Sequence, residues 1–207
     1  MDEPRDFVDA YLEREIQILS EIDRRPITRA VQWLRQARDQ DRTIFVFGNG
    51  GCSAIASQMV VDLVKCASLG RPRRFKAMCL SDNIPTLTAF ANDEGYDTIF
   101  AEPLRSFAQP GDLVLGMSGS GDSPNVLAAI DVADEIGCRT LALTSALQGR
   151  LRHAVELPIL VPSTHMGRLE DGFFAIAHVL VYAFIEDEIG VGVGVGARVA
   201  ELASDAG

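Results

Sequence analysis

The chain has no excess of positive charge, no closely paired cysteines, no apolar stretch long enough for a bilayer and no internal repeat. Its 19 lysines and arginines stand against 29 aspartates and glutamates, a net charge of −10. Holding nucleic acid takes clustered Lys and Arg, so this balance argues against nucleic acid as a partner. It leaves room for one small pocket for an anion. Arg71, Arg73, Arg74 and Lys76 form the dense basic run and read as a solvated loop. Cys52, Cys66, Cys79 and Cys138 lie far apart, with no Cys-x-x-Cys. That is the pattern of free, mostly buried thiols. Met-Asp-Glu-Pro-Arg lacks the basic flank and apolar stretch of a signal peptide. The longest apolar run, Phe173–Ile185, spans 13 residues and reads as a buried helix. The expected setting is therefore the cytoplasm, away from membranes. No period of solenoid length is visible.

What is present is enough apolar sequence for a core: 47% of 207 residues are hydrophobic and 23% charged. Residues 3–38 read as two helices, punctuated by Pro26, with Thr28 a candidate cap for the second. Thr43–Phe47 is a continuous β run of the buried, parallel type, followed by helix over 53–67. Strands are expected at 77–80, 113–117, 140–144 and 157–161. Helices are expected at 85–91, 99–107, 126–136 and 168–188. Such alternation means parallel βαβ units with helices on both faces of a sheet. Residues 1–40 form N-terminal helices of the same domain, 41–189 its main body, and 190–207 a Gly/Val-rich tail expected to be mobile.

Two loops follow predicted strands, where open α/β sheets bind ligands. In Gly48-Asn49-Gly50-Gly51 the glycines permit a sharp turn toward a helix N-terminus. The match to Gly-x-Gly-x-x-Gly is imperfect, and without Gly-Lys-Ser/Thr this is no Walker loop. In Ser118-Gly119-Ser120-Gly121-Asp122-Ser123, three hydroxyls and several free amides precede a helix. Such a loop can wrap a phosphate with neutral donors and the helix dipole.

Gly48-Asn-Gly-Gly, Asn92-Asp93, Ser118-x-Ser-Gly-x-Ser123-x-Asn125 and Arg168-x-Glu-Asp…His178 resemble, in order and spacing, the sugar isomerase (SIS) domain. More narrowly they resemble the phosphoheptose isomerases, which interconvert sedoheptulose 7-phosphate and a glycero-manno-heptose 7-phosphate. The resemblance covers about residues 5–188. It implies a single SIS domain: a five-stranded parallel sheet in a flavodoxin-like α/β sandwich, with N-terminal helices. It implies a homotetramer with sites at subunit interfaces. Ser118, Ser120 and Ser123 would bind phosphate. Asn49, Gly50, Gly51, Asn92, Asp93 and Glu170 would contact the sugar, and Asp62 and His178 would be catalytic. Members that bind metal use positions matching Gln58, Asp62, Glu170 and His178. Gln58 replaces a histidine, Asp62 and Glu170 replace a glutamate and a glutamine, and Gly167 stands where the family has an acidic residue. Zinc favours His and Cys, so the changed donor set disfavours it, and no other cofactor is implied.

Moving a proton between C1 and C2 of a sugar needs a base and an acid, and Asp62 and His178 suffice chemically. Gln58 and Asp62 share a helix face. The segment is otherwise apolar, so Asp62 faces a pocket or partner, or lies on a polar surface stripe with Gln58 and Lys65. His178 is either functional or a core histidine. Glu170 leans loosely toward the same side, and Asp171 is the other candidate to orient the imidazole. His153 and His165 have no assigned role, and Trp33 and the phenylalanines read as core. Two other readings compete: a non-catalytic SIS protein that binds a phosphosugar or a protein partner, as in the type that contacts the DnaA replication initiator, and a dinucleotide-binding oxidoreductase.

Overall fold

Five short β runs, each followed by helical sequence, form one sheet in the computed structural model, which describes residues 4–186. The strands are β1 (Thr43–Gly48), β2 (Lys76–Cys79), β3 (Leu113–Ser118), β4 (Arg139–Ser145) and β5 (Leu157–Val161). All pairs are parallel and the order is β2-β1-β3-β4-β5. Parallel strands need crossover connections, here helices, and these cover both faces. One layer holds α1 (Pro4–Glu21), α2 (Arg24–Asp39), α3 (Gly51–Val61) and α8 (Met166–Ile185). The other holds α4 (Ile84–Asp93), α5 (Ala101–Phe107), α6 (Pro124–Ile136) and the short α7 (Leu151–Ala154). Strand β1 shows the division: Ile44 and Val46 join the first core, Phe45 and Phe47 the second, as side-chain alternation requires.

Three expectations change. Helix α2 is capped by Asp23, whose carboxylate accepts from the Arg25 amide at 3.0 Å, not by Thr28. Pro26 sits inside its first turn, where a missing N–H costs nothing. Thr28 donates back to the Arg24 carbonyl. The helix expected over 53–67 starts at Gly51 and gives way after Val61 to one π turn, Asp62–Cys66. There the Ala67 amide donates to the Asp62 carbonyl at 2.8 Å, five residues back. The basic run is not simply solvated. Arg71 donates to the Phe184 and Ile185 carbonyls ending α8, Arg73 to the Asp39 carbonyl ending α2, and Lys76 pairs with Asp41. Cations at helix C-termini complement the dipole.

All four cysteines are free, three buried and Cys66 exposed. Among the described residues no helix is long and apolar enough to cross a membrane. The tail, 190–207, lies outside the described residues.

Candidate active site

The strand order reverses between β1 and β3, so the chains leaving them diverge to opposite faces and open a crevice at their carboxyl ends. Both loops singled out from the sequence emerge there. They are tied by a reciprocal amide pair: Asn49 Nδ2 donates to Asn125 Oδ1 at 2.9 Å, and Asn125 Nδ2 to Asn49 Oδ1 at 2.8 Å. The Tyr96 hydroxyl also donates to Asn49 Oδ1, at 3.1 Å. Asn49 thus braces the crevice. Sequence reasoning gave Asn125 no role and missed Tyr96, whose only signal was its position just after Asn92-Asp93. Those two are exposed at the end of α4 and bond each other, Asn92 Nδ2 donating to Asp93 Oδ1.

Ser118, buried at the end of β3, is the hub of the second loop. Its Oγ lies 2.9 Å from Ser123 Oγ and 3.3 Å from Ser120 Oγ, and accepts from the Gly121 amide at 3.1 Å. The three hydroxyls converge at the N-terminus of α6. Neutral donors and a positive dipole end favour an anion.

The loop after β4 clasps this one from behind. Thr144 Oγ1 donates to the Ser118 carbonyl, and the Arg150 and Leu151 amides donate to the Gly121 carbonyl. Arg150 Nε donates to Asp122 Oδ1 at 2.9 Å, and holds that carboxyl below its ordinary pKa. The clasp needs two glycines: Gly121 and Gly149 have φ of +69° and +86°, and a Cβ on Gly149 would lie 2.4 Å from the Gly121 Cα.

Glu170, on α8, brings its carboxylate against the first residue of α3. A Cβ on Gly51 would lie 2.2 Å from Oε1. A negative charge at a helix N-terminus is favourable. Gly50, at the α3 N-cap, is exposed.

A separate cluster forms where α3 becomes the π turn. Asp62 is buried, so it is no surface carboxylate. Its Oδ2 accepts from Gln58 Nε2 at 3.0 Å and lies 3.9 Å from His178 Nε2, and its Oδ1 accepts from the Cys66 thiol at 3.6 Å. Cys66, four residues beyond Asp62, was missed, although that spacing was visible. His178 is half-exposed rather than a core histidine, with Phe174 and Tyr182 edge-on to its ring at 5.0 and 5.8 Å. Asp171 does not orient the imidazole; it accepts from the Tyr11 hydroxyl at 2.7 Å. His165 caps α8 by accepting from the Arg168 amide.

The two clusters stay apart within one chain. Glu170 and His178 are eight residues apart on α8, about 12 Å along the axis. Gln58, Asp62, Glu170 and His178 therefore do not converge as a ligand set. Among the described residues no three His, Cys, Asp or Glu side chains are placed to hold a metal. Gln58 also turns its N–H, not its oxygen, toward Asp62. Within one chain these four side chains do not offer a zinc ion a ligand set. Phe174 and Tyr182, both partly exposed, flank the His178 ring, and Val61 and Val64 on either side of Asp62 along the chain are exposed as well.

Residues 10–145 match the SIS domain family. The chain belongs to that family. Within it, the phosphoheptose isomerase of Geotalea daltonii is 38% identical over 154 residues, 74% of this chain and 80% of that one. The phosphoheptose isomerase of Geobacter sulfurreducens is 34% identical over 178 residues, 84% and 94% of the two chains. A solved phosphoheptose isomerase from Francisella tularensis has a TM-score of 0.83 at 25% identity, covering 89% of this chain and 99% of its own. Within this family, whose members named here are phosphoheptose isomerases, the chain's sheet is the five-stranded α/β sandwich the motifs implied.

Proposed function

We propose that the chain interconverts a ketose phosphate and an aldose phosphate, specifically sedoheptulose 7-phosphate and a glycero-manno-heptose 7-phosphate. The observation that carries this is the convergence of Ser118, Ser120 and Ser123 at the N-terminus of α6, an array of neutral donors suited to a phosphate. The phosphoheptose isomerase relatives supply the sugar length. In the ketose-to-aldose direction the Asp62 carboxylate takes a proton from C1 while His178, as imidazolium, protonates O2, giving an enediol. Asp62 then returns the proton to C2 as His178 removes the proton from O1.

The Asp62–His178 pair stands a helix length from the serine loop of its own chain, amid exposed apolar side chains. The reading places the reaction between copies, the serine loop of one subunit facing the pair of another, in a homo-oligomer that we take to be a tetramer. Glu170, Gly50, Gly51, Asn92 and Asp93 line the sugar's path from the loop side. Purified protein should turn over sedoheptulose 7-phosphate equally well with and without added zinc. Mixing inactive Asp62→Asn and Ser118→Ala chains should restore part of the activity through hybrid sites. A monomer by light scattering, or no recovery on mixing, would overturn the shared site. Absence of wild-type turnover with phosphosugar binding intact would overturn the catalytic reading.

A further inference from the structure

The serine loop carries a negative charge of its own. Asp122 is one residue from Ser123 and two from Ser120, so its Cα is within about 7 Å of both. An anion held by those hydroxyls sits inside one Debye length of that carboxylate, about 10 Å at 0.1 M salt. Left alone, Asp122 would repel the ligand its neighbours are arranged to hold. Arg150, from the loop after β4, meets it twice. Nε donates to Oδ1 at 2.9 Å, and the Arg150 backbone amide donates to the same oxygen at 3.2 Å. The same amide donates to the Gly121 carbonyl, fixing Arg150 beside the loop.

We infer that Arg150 is a positioning residue for phosphate recognition: it cancels the Asp122 charge and keeps that carboxylate turned away from the anion. The inference rests on the reading that the serine loop holds phosphate. It treats Asp122 and Arg150 as a matched pair rather than as two unrelated exposed residues. Surface ion pairs contribute little to stability, so the consequence belongs in ligand affinity. It also makes the loop selective for charge. A neutral sugar gains nothing from the pair, whereas a phosphate dianion feels each unbalanced charge twice over.

The two members of the pair should act with opposite sign. Arg150→Ala leaves Asp122 uncompensated and should weaken binding of inorganic phosphate by about threefold to tenfold at low salt. Asp122→Asn leaves Arg150 uncompensated and should tighten it by a similar factor. The double variant should return close to wild type, and both single effects should fade at 0.5 M sodium chloride. A clamp that merely shapes the loop gives another pattern: either single change weakens binding, and the double is no better. Phosphate titrations followed by thermal shift, with circular dichroism to confirm folding, distinguish the two. Same-sign single effects, no effect of Arg150→Ala, or no rescue in the double overturns the inference. Wild-type protein that binds no phosphate overturns the underlying reading instead.

Discussion

The Glu170 carboxylate fills the space that a side chain at Gly51 would need: a Cβ there would lie 2.2 Å from Oε1 and 2.5 Å from Oε2. The obstacle is the end of a flexible side chain, not backbone. Gly51→Ala should therefore leave the fold intact, helped by the better helix propensity of alanine, while pushing Glu170 aside. The expected result is a melting temperature within a few degrees of wild type and a clear drop in kcat/KM. In a Glu170→Ala background the Gly51→Ala change should cost nothing further. Additive losses there would separate the two residues.

The Asp62–His178 pair predicts a kinetic signature. If both act in one proton-transfer sequence, Asp62→Asn and His178→Ala should each lower kcat by roughly 10²–10⁴. The double variant should be little worse than either, because groups working as a unit are non-additive. Steady-state kinetics on sedoheptulose 7-phosphate would decide it, and full activity in Asp62→Asn refutes the assignment.

Thiol chemistry should single out one cysteine. Burial pushes Cys52, Cys79 and Cys138 each up to about 11. At pH 8 about one in a thousand of those groups is thiolate, and the thiolate is the nucleophile. Cys66 is also raised, by partial burial and by Asp62, but it is exposed. Native alkylation followed by mass spectrometry should label Cys66 first, with the other three appearing only on denaturation. Prior binding of phosphosugar should slow the Cys66 reaction if Asp62 lies at the reacting end.

Asp23 should contribute to acid sensitivity. Its hydrogen bonds to Arg25 hold its carboxyl at about 2 in the folded chain, against 3.8 ordinarily. A depressed folded pKa gives stability that is present above the unfolded value and lost as pH falls through the folded one. Asp23→Ala should lower the melting temperature at pH 7, and its difference from wild type should shrink between about pH 4 and pH 2. A constant difference across that window would show that the charge is irrelevant to the cap.

Much of this was legible in the sequence, for identifiable reasons. Strands buried on both faces read as unbroken apolar runs, so 113–117 fell on β3, one residue short of its end. The serine loop stood out because three hydroxyls between a strand and a helix exceed what one cap requires. The separation of Glu170 from His178 was also readable, since eight helical residues span two turns and more. Other features left no mark. The π turn at Asp62–Cys66 is a change in backbone hydrogen-bond register, which no residue type announces. Asp23 and Thr28 are both acceptable caps, and only the path of the chain chose between them. Arg71 and Arg73 took their roles from helix ends brought to them by the fold.

The asparagine clasp between Asn49 and Asn125 ties the loop after β1 to the start of α6, whereas Asp62 and His178, the pair we propose to move protons, ride on the π turn after α3 and on α8. The two capacities can therefore be inherited separately. A descendant could change a few positions on those helices and cease turnover, yet still report the presence of a sugar phosphate. In such a lineage an enzyme becomes a receptor without a new fold, and the loop after β3 is the part that would persist.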